Sequence, residues 1–403
     1  MDEINDNKIK NKIYYLSIFG FMLLSFPFEM FGGLVPIISK DLNVSTYFIG
    51  IILSLSAMTN LVAAIIAGNL IELFGIKKIL IVGISFEIIG MTVINFTRGS
   101  IFFTVFYLLS GFGLGCLGVS LNSLVSTTFE NERSRRLLFL GVASFIGVIF
   151  GALFIKLILS VGVNWRYGFL AAGISFVALL LAIIKLDLSK FRVSSNYTIR
   201  TFIQMYKGSF LNVNLIIIGI IAFLFNGIAS VFLNWFTTYF KSLGIPVEIS
   251  SLFIVLYAVG MIAGMFLKIL LLKFLKEVQI IIINSSIVFT CFLGLIFFNN
   301  LIIKILLVII IGLNSAGIFM LCAAVAMDIN KEKLSIVLGY IYAAAYSGNI
   351  FLLYISGLVV ERFPKLGFAT MGSIGWAAIS ILAIASLKVR ARSRGRELVN
   401  NNH

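Results

Sequence analysis

Residues 68–78 read GNLIELFGIKK. Apolar runs flank this stretch, over about 48–74 before it and 78–97 after it. A run of about 20 apolar residues is long enough to cross a bilayer as a helix. The stretch is therefore the short turn between two crossings. Gly68 and Gly75 permit close helix approach and a tight turn. Glu72, at a helix end, suits the positive N-terminus of a neighbouring helix. Lys77 and Lys78 hold the turn on the basic side of the membrane.

Outward from this turn the same alternation runs from Ile13 to Leu387. Of 403 residues, 60% are hydrophobic and 12% charged, half the roughly 25% charge of soluble proteins. This excludes a disordered chain, a nucleic-acid-binding tail protein and most soluble enzymes. Twelve spans are predicted. The first six cover about 14–39, 48–74, 78–97, 100–129, 136–161 and 165–186. The second six cover about 210–241, 247–272, 278–298, 300–327, 334–361 and 367–388. The chain reads as an all-α membrane protein, twelve transmembrane helices in two six-helix bundles. The bundles are 14–186 and 210–388, joined by a polar linker over 187–209, with an N-terminal tail 1–13 and a basic tail 389–403. Gly68-x-x-x-Glu72 returns 196 residues later as Gly264-x-x-x-Lys268, matching the shift between the first spans of the halves. Two such parallel repeats are a recurring transporter architecture.

The net charge is +15, from 31 Lys and Arg against 16 acids. With a cytoplasmic N-terminus, 23 of the 31 fall on one side, leaving 8 on the other. That asymmetry predicts both termini inside a plasma membrane. No small-residue cleavage site follows the first apolar run, so a retained first helix is expected. The basic tail from Lys388, KVRARSRGRE, reads as a cytoplasmic anchor. His403 is the sole histidine, and Cys116, Cys291 and Cys322 lie singly in apolar runs. No metal, disulfide framework or cofactor is expected, and no intramembrane imidazole chemistry.

Residues 68–78 resemble the loop signature of the major facilitator superfamily, G-x-x-x-D-[RK]-x-G-x-[RK]-[RK]. Gly68, Glu72, Gly75, Lys77 and Lys78 match it, while Leu73 replaces a basic residue. The resemblance implies the major facilitator fold and a gating loop that latches the two halves in one state. Span four, YLLSGFGLGCLGVSLNS over 107–123, resembles the superfamily motif R-x-x-[QS]-G-x-G, with Ser110, Gly111 and Gly113 in place. Tyr107 stands where relatives have an arginine implicated in proton coupling, which counts against proton antiport. These glycines are no dinucleotide fingerprint, since no strand precedes them. Span five, GVASFIGVIFGALF over 141–154, has Gly147 and Gly151 but lacks the Gly-Pro of drug–proton antiporters. Trp165-Arg166 resembles a pair frequent after span five and also reads as an interface anchor.

Intramembrane polar groups are costly and therefore informative. An acid at a helix centre costs roughly 2.5–3.5 kcal/mol on insertion scales. Glu29 lies about 23 Å into span one at 1.5 Å per residue, past the midplane. Gly32, Gly33 and Pro36 follow it and predict a break or bend. Glu87 lies near the middle of span three. Both are candidate proton-coupling groups, and Glu29 is also a candidate substrate ligand. Further substrate-binding candidates are Asn60, Asn122, Asn226, Trp235, Asn314, Tyr346 and Asn349. Tyr342, Tyr346 and Asn349 share one face of span eleven by their i, i+4, i+7 spacing. Lys156, Lys268 and Lys304 lie toward span ends, where they can snorkel. No arginine is central, so a multivalent anion lacks its preferred partner. The expected function is secondary active or facilitative transport of a small neutral or cationic organic solute by alternating access. Protons are the candidate coupling ion. The partners are the solute and the lipid bilayer, without nucleic acid, and the chain is expected to be a monomer. The alternatives are an exporter of lipophilic drugs and, from another class, a membrane-embedded enzyme or sensor. The two separated glutamates make a poor catalytic set.

Overall fold

The structure, a computed structural model, describes residues 2–129, 132–186, 188, 212–329 and 334–400. Thirteen helices occur among these residues, with no strand. The first six are α1 Asp2–Asp41, α2 Thr46–Phe74, α3 Ile76–Ile94, α4 Ser100–Thr128, α5 Arg133–Ser160 and α6 Arg166–Ile184. The others are α7 Val213–Ser242, α8 Val247–Leu271, α9 Glu277–Phe297, α10 Leu301–Ser315, α11 Ile318–Ile329, α12 Leu334–Arg362 and α13 Gly367–Asn400. Without water a backbone must satisfy its own hydrogen bonds, and helices do so within one segment. Among the described residues eleven segments are long and apolar enough to cross a membrane, Leu301–Ile329 counting as one. The twelfth helix, α3, carries Lys77, Lys78 and Glu87 in its 19 residues. The all-helical, twelve-span reading therefore holds. Of the linker expected over 187–209, only Leu188 lies among the described residues.

Two local expectations are corrected. Helix α1 runs unbroken through Pro27, Gly32, Gly33 and Pro36, because spanning helices tolerate proline where neighbours compensate the lost bond. Span ten, expected to be continuous, is split between α10 and α11 at Ala316 and Gly317, the latter with φ 69°. The ends are capped as the sequence allows. Ser45 accepts from the Phe48 N–H at 3.1 Å, and Asn300 Oδ1 accepts from the N–H groups of Ile302 and Ile303. Such caps satisfy orphan donors of the first turn. α2 and α3 meet at the single residue Gly75, whose φ of 85° suits glycine alone.

The chain divides into two compact units. One comprises Met1–Thr198 with Leu233–Ala258; the other comprises Ile199–Phe232 with Val259–His403. The C-terminal half of α7 and the N-terminal half of α8 thus belong with the first unit. Gly32 and Gly33 make this closeness workable. A Cβ on Gly32 would stand 2.7 Å from the Leu233 carbonyl oxygen, and one on Gly33 2.3 Å from Ile155 Cδ1. One core cluster of the first unit is mostly aliphatic. Ala63, Leu80, Leu117, Leu121, Phe176 and Leu179 are fully buried within it. Large apolar side chains also cover the surface, among them Ile101, Phe102, Phe297, Ile374 and Ile381. A soluble surface seldom carries so much exposed apolar area, whereas lipid tails accept it.

Candidate functional site

Glu29 is the central feature of the first unit. It is fully buried, and neither carboxyl oxygen has a hydrogen-bond partner among the described residues. Its surroundings follow from small residues. Gly147 and Gly151 let α5 touch the backbone of α1: added methyls would meet the Met22 and Phe26 carbonyls at 2.2 and 2.8 Å. Gly151 also borders the Glu29 stem, its added Cβ falling 3.0 Å from Glu29 Cβ. Tyr257 of α8 lies within electrostatic reach of Glu29. Thr237 of α7, one turn beyond Leu233, is buried with its hydroxyl unpartnered among the described residues. Among the described residues neither a hydrogen-bond donor nor a cation is bonded to the carboxyl, so in this geometry an ionised Glu29 would bear its desolvation uncompensated. The packing accommodates the neutral acid.

Glu87 has a different setting. Ser110 Oγ donates to Glu87 Oε2 at 2.8 Å, while Oε1 is buried without a hydrogen-bond partner among the described residues. Tyr107, at the position of the family's arginine, is 4% exposed. Its ring stacks on Phe31 at 4.3 Å and on Phe103 at 6.0 Å. Phe31 follows Glu29 by two residues, so this aromatic slab ties the α1 segment carrying Glu29 to α4. Below it Trp165 meets Phe103 edge-on. The Arg166 guanidinium lies 4.3 Å over the Trp165 ring, donates to the Thr97 carbonyl and pairs with Asp41. The pair 165–166 thus fastens the end of α1 and the α3–α4 turn to the start of α6.

The second unit gathers amides and hydroxyls. α7 and α12 touch at Gly227 and Gly348, where a Cβ on Gly348 would fall 1.9 Å from the Phe223 carbonyl oxygen. This contact sets Ser230 beside Asn349, whose Oδ1 accepts from the Ser230 hydroxyl at 3.0 Å. Asn226, one turn before Ser230 on the same face, donates weakly to Ala222 at 3.3 Å. Tyr346 is partly buried and lies within electrostatic reach of Tyr342.

The expected residues therefore divide. Glu29, Asn60, Glu87, Asn122 and Trp235 fall in the first unit; Asn226, Asn314, Tyr346 and Asn349 fall in the second. Asn60 Oδ1 is buried without a hydrogen-bond partner among the described residues. Asn122 is exposed and bonds the Gly118 carbonyl of its own helix at 2.9 Å. Asn314 bonds Ile310 of its own helix, and Trp235 is fully buried. In the turn 68–78, Lys77 Nζ donates to the carbonyls of Ile184 and Leu186 at 2.8 Å each, capping the end of α6. Lys78 is exposed. The side chain of Glu72 lies outside the described residues. Ser230, Thr237 and Tyr257 escaped the sequence reading. Ser230 was reachable from its i+4 relation to Asn226. No three His, Cys, Asp or Glu side chains cluster among the described residues.

An all-helical chain of twelve spans with buried acids and amides inside them is the build of a secondary transporter. The Major Facilitator Superfamily model matches residues 17–351. The chain belongs to that superfamily and is a multi-pass membrane transporter of small solutes. No curated protein sequence matches it. Among solved structures, a mutant of the nucleoside transporter NupG superposes with TM-score 0.77 at 14% identity, covering 94% of this chain and 99% of that one. The D-xylose-proton symporter superposes with TM-score 0.68 at 16% identity, covering 91% and 96%. At these identities the likeness is one of fold.

Proposed function

We propose that the chain is a proton-coupled symporter of a small neutral, hydroxyl-rich organic solute, with Glu29 as the proton carrier. The observation that carries this reading is the fully buried Glu29 carboxyl, neither oxygen of which is bonded among the described residues. A carboxyl so placed is tolerated when neutral and needs water or a partner when charged, so its protonation can alternate with access. Glu87 is the second candidate carrier. Asn60, Asn122, Asn226, Trp235, Asn314, Tyr346 and Asn349 are the candidate solute ligands. Amides and phenols suit hydroxyl groups, since they both donate and accept. The names of the two solved relatives point the same way, one to nucleosides and one to D-xylose with protons. The absence of an arginine at position 107 favours symport over antiport.

The frame of this reading is a monomer in the plasma membrane with both termini cytoplasmic. Its bundles are 14–186 and 210–388, joined by the linker 187–209 and flanked by the tails 1–13 and 389–403. The turn at Gly68, Glu72, Gly75, Lys77 and Lys78 acts as the latch of one access state. Glu72→Gln is expected to shift that state without abolishing solute binding. Unchanged labelling of cysteines at the cytoplasmic ends of spans four and eleven would count against the latch.

The solute class is tested by competition in proteoliposomes carrying an inward proton gradient. Neutral sugars, polyols and nucleosides are expected to include the competitor, and organic phosphates and dicarboxylates to compete poorly. Strong competition by the anions overturns the assignment.

A further inference from the structure

The break in span ten has a partner elsewhere in the second unit. Helix α10 ends at Ser315, Gly317 takes the left-handed φ of 69°, and α11 starts at Ile318. Ending a helix there leaves its last carbonyls without intrahelical donors, which is costly inside a membrane. Helix α8 supplies the donor. Gly260 and Gly264 lie along one face of α8 against α10; added Cβ atoms would stand 2.7 Å from the Ile309 oxygen and 2.1 Å from the Leu313 oxygen. One turn further on that face comes Lys268. Its Nζ donates to the Leu313 carbonyl at 2.6 Å and to the Asn314 carbonyl at 3.2 Å. Its stem passes the break, with Cγ 3.8 Å from a Cβ added at Gly317. The residue is 4% exposed and forms no salt bridge among the described residues.

We infer that Lys268 is a positioning residue of the transport cycle, which holds span ten bent at 315–317 and so sets where α11 stands against α10. The sign of the charge follows from the helix end it meets. An acid suits a helix N-terminus and a cation a helix C-terminus. Gly264-x-x-x-Lys268 repeats the spacing of Gly68-x-x-x-Glu72 with that charge reversed, and the end it meets is a C-terminus. A side chain needed only to fill space there would carry no charge, since an apolar chain of equal length is cheaper to bury. The inference rests on membership of a transporter family, and not on the proposed solute or on Glu29.

The chain carries its own reporters. Cys322 lies buried in α11, while Cys116 in α4 and Cys291 in α9 are also buried and free. N-ethylmaleimide labelling of the full-length protein in membranes, read cysteine by cysteine, needs neither solute nor gradient. Lys268→Met is expected to speed Cys322 labelling about tenfold through local opening, with Cys116 unchanged. Lys268→Arg, which keeps a cationic donor, is expected to restore the wild-type rate. Gly317→Ala, which penalises the left-handed turn, is expected to act like Lys268→Met. If Lys268→Met fails to reach the membrane, Gly317→Ala and Lys268→Arg decide. Selective Cys322 exposure in the former and a wild-type rate in the latter support the role. Wild-type Cys322 labelling in Lys268→Met or Gly317→Ala overturns it. So does failure of arginine to restore the rate, or equal exposure of all three cysteines.

Discussion

Glu29→Gln is expected to abolish solute accumulation driven by a proton gradient, a loss of about tenfold or more, while counterflow exchange stays within about threefold of wild type. Glutamine keeps the size and polarity of the neutral acid that the packing accommodates. The geometry against Gly151 and the approach of α1 to α7 should therefore survive. What glutamine cannot do is lose a proton. A carrier without that step still exchanges solute for solute, but it no longer draws work from the gradient. The check is paired uptake and counterflow in the same proteoliposomes. Gradient-driven accumulation by the mutant at the wild-type level would remove Glu29 from the mechanism.

Asn349→Ala is expected to raise the KM for the transported solute about tenfold with Vmax near wild type. The Asn349 Oδ1 is engaged by the Ser230 hydroxyl, which fixes the amide plane and leaves its N–H₂ to donate to a solute hydroxyl. One such hydrogen bond is worth about 0.5–1.5 kcal/mol net, and tenfold in affinity is about 1.4 kcal/mol. Ser230→Ala, which frees the amide to rotate without removing it, is expected to raise KM only about two- to threefold. Initial-rate uptake across solute concentrations separates the two parameters. An unchanged KM in Asn349→Ala would take this amide out of the binding site.

Much of the fold was legible because lipid imposes a single demand. Runs of about 20 apolar residues had to be helices, and the turn at Gly75 was marked by its glycine and its lysines. The break in span ten was not legible. Ala316-Gly317 looks like any small pair that lets helices approach, and only the left-handed φ with the lysine on the preceding carbonyls reveals a bend. A place near a span end predicts a snorkelling side chain for Lys268 and for Lys304. Both are 4% exposed and donate to carbonyls, Lys304 to that of Leu295 at 2.5 Å. The difference has a physical source, since depth in sequence says nothing of a neighbouring helix that offers orphan acceptors. Lys156, by contrast, is exposed. Glu29 was legible from its cost, but its setting was not. Tyr257 and Thr237 come from helices more than 200 residues away, and no local pattern announces that Gly32 and Gly33 bring them to α1. Ser110 matches the family motif in the sequence, yet its service as donor to Glu87 follows only from the packing of α3 on α4.

The central claim is that solute and proton move together, and the most direct measurement is of the proton. Proteoliposomes without any imposed gradient, given the competing neutral solute from outside, should show alkalinisation of the medium that stops when Glu29 is replaced by Gln. Solute entry with no proton movement, or with acidification of the medium, would contradict the account.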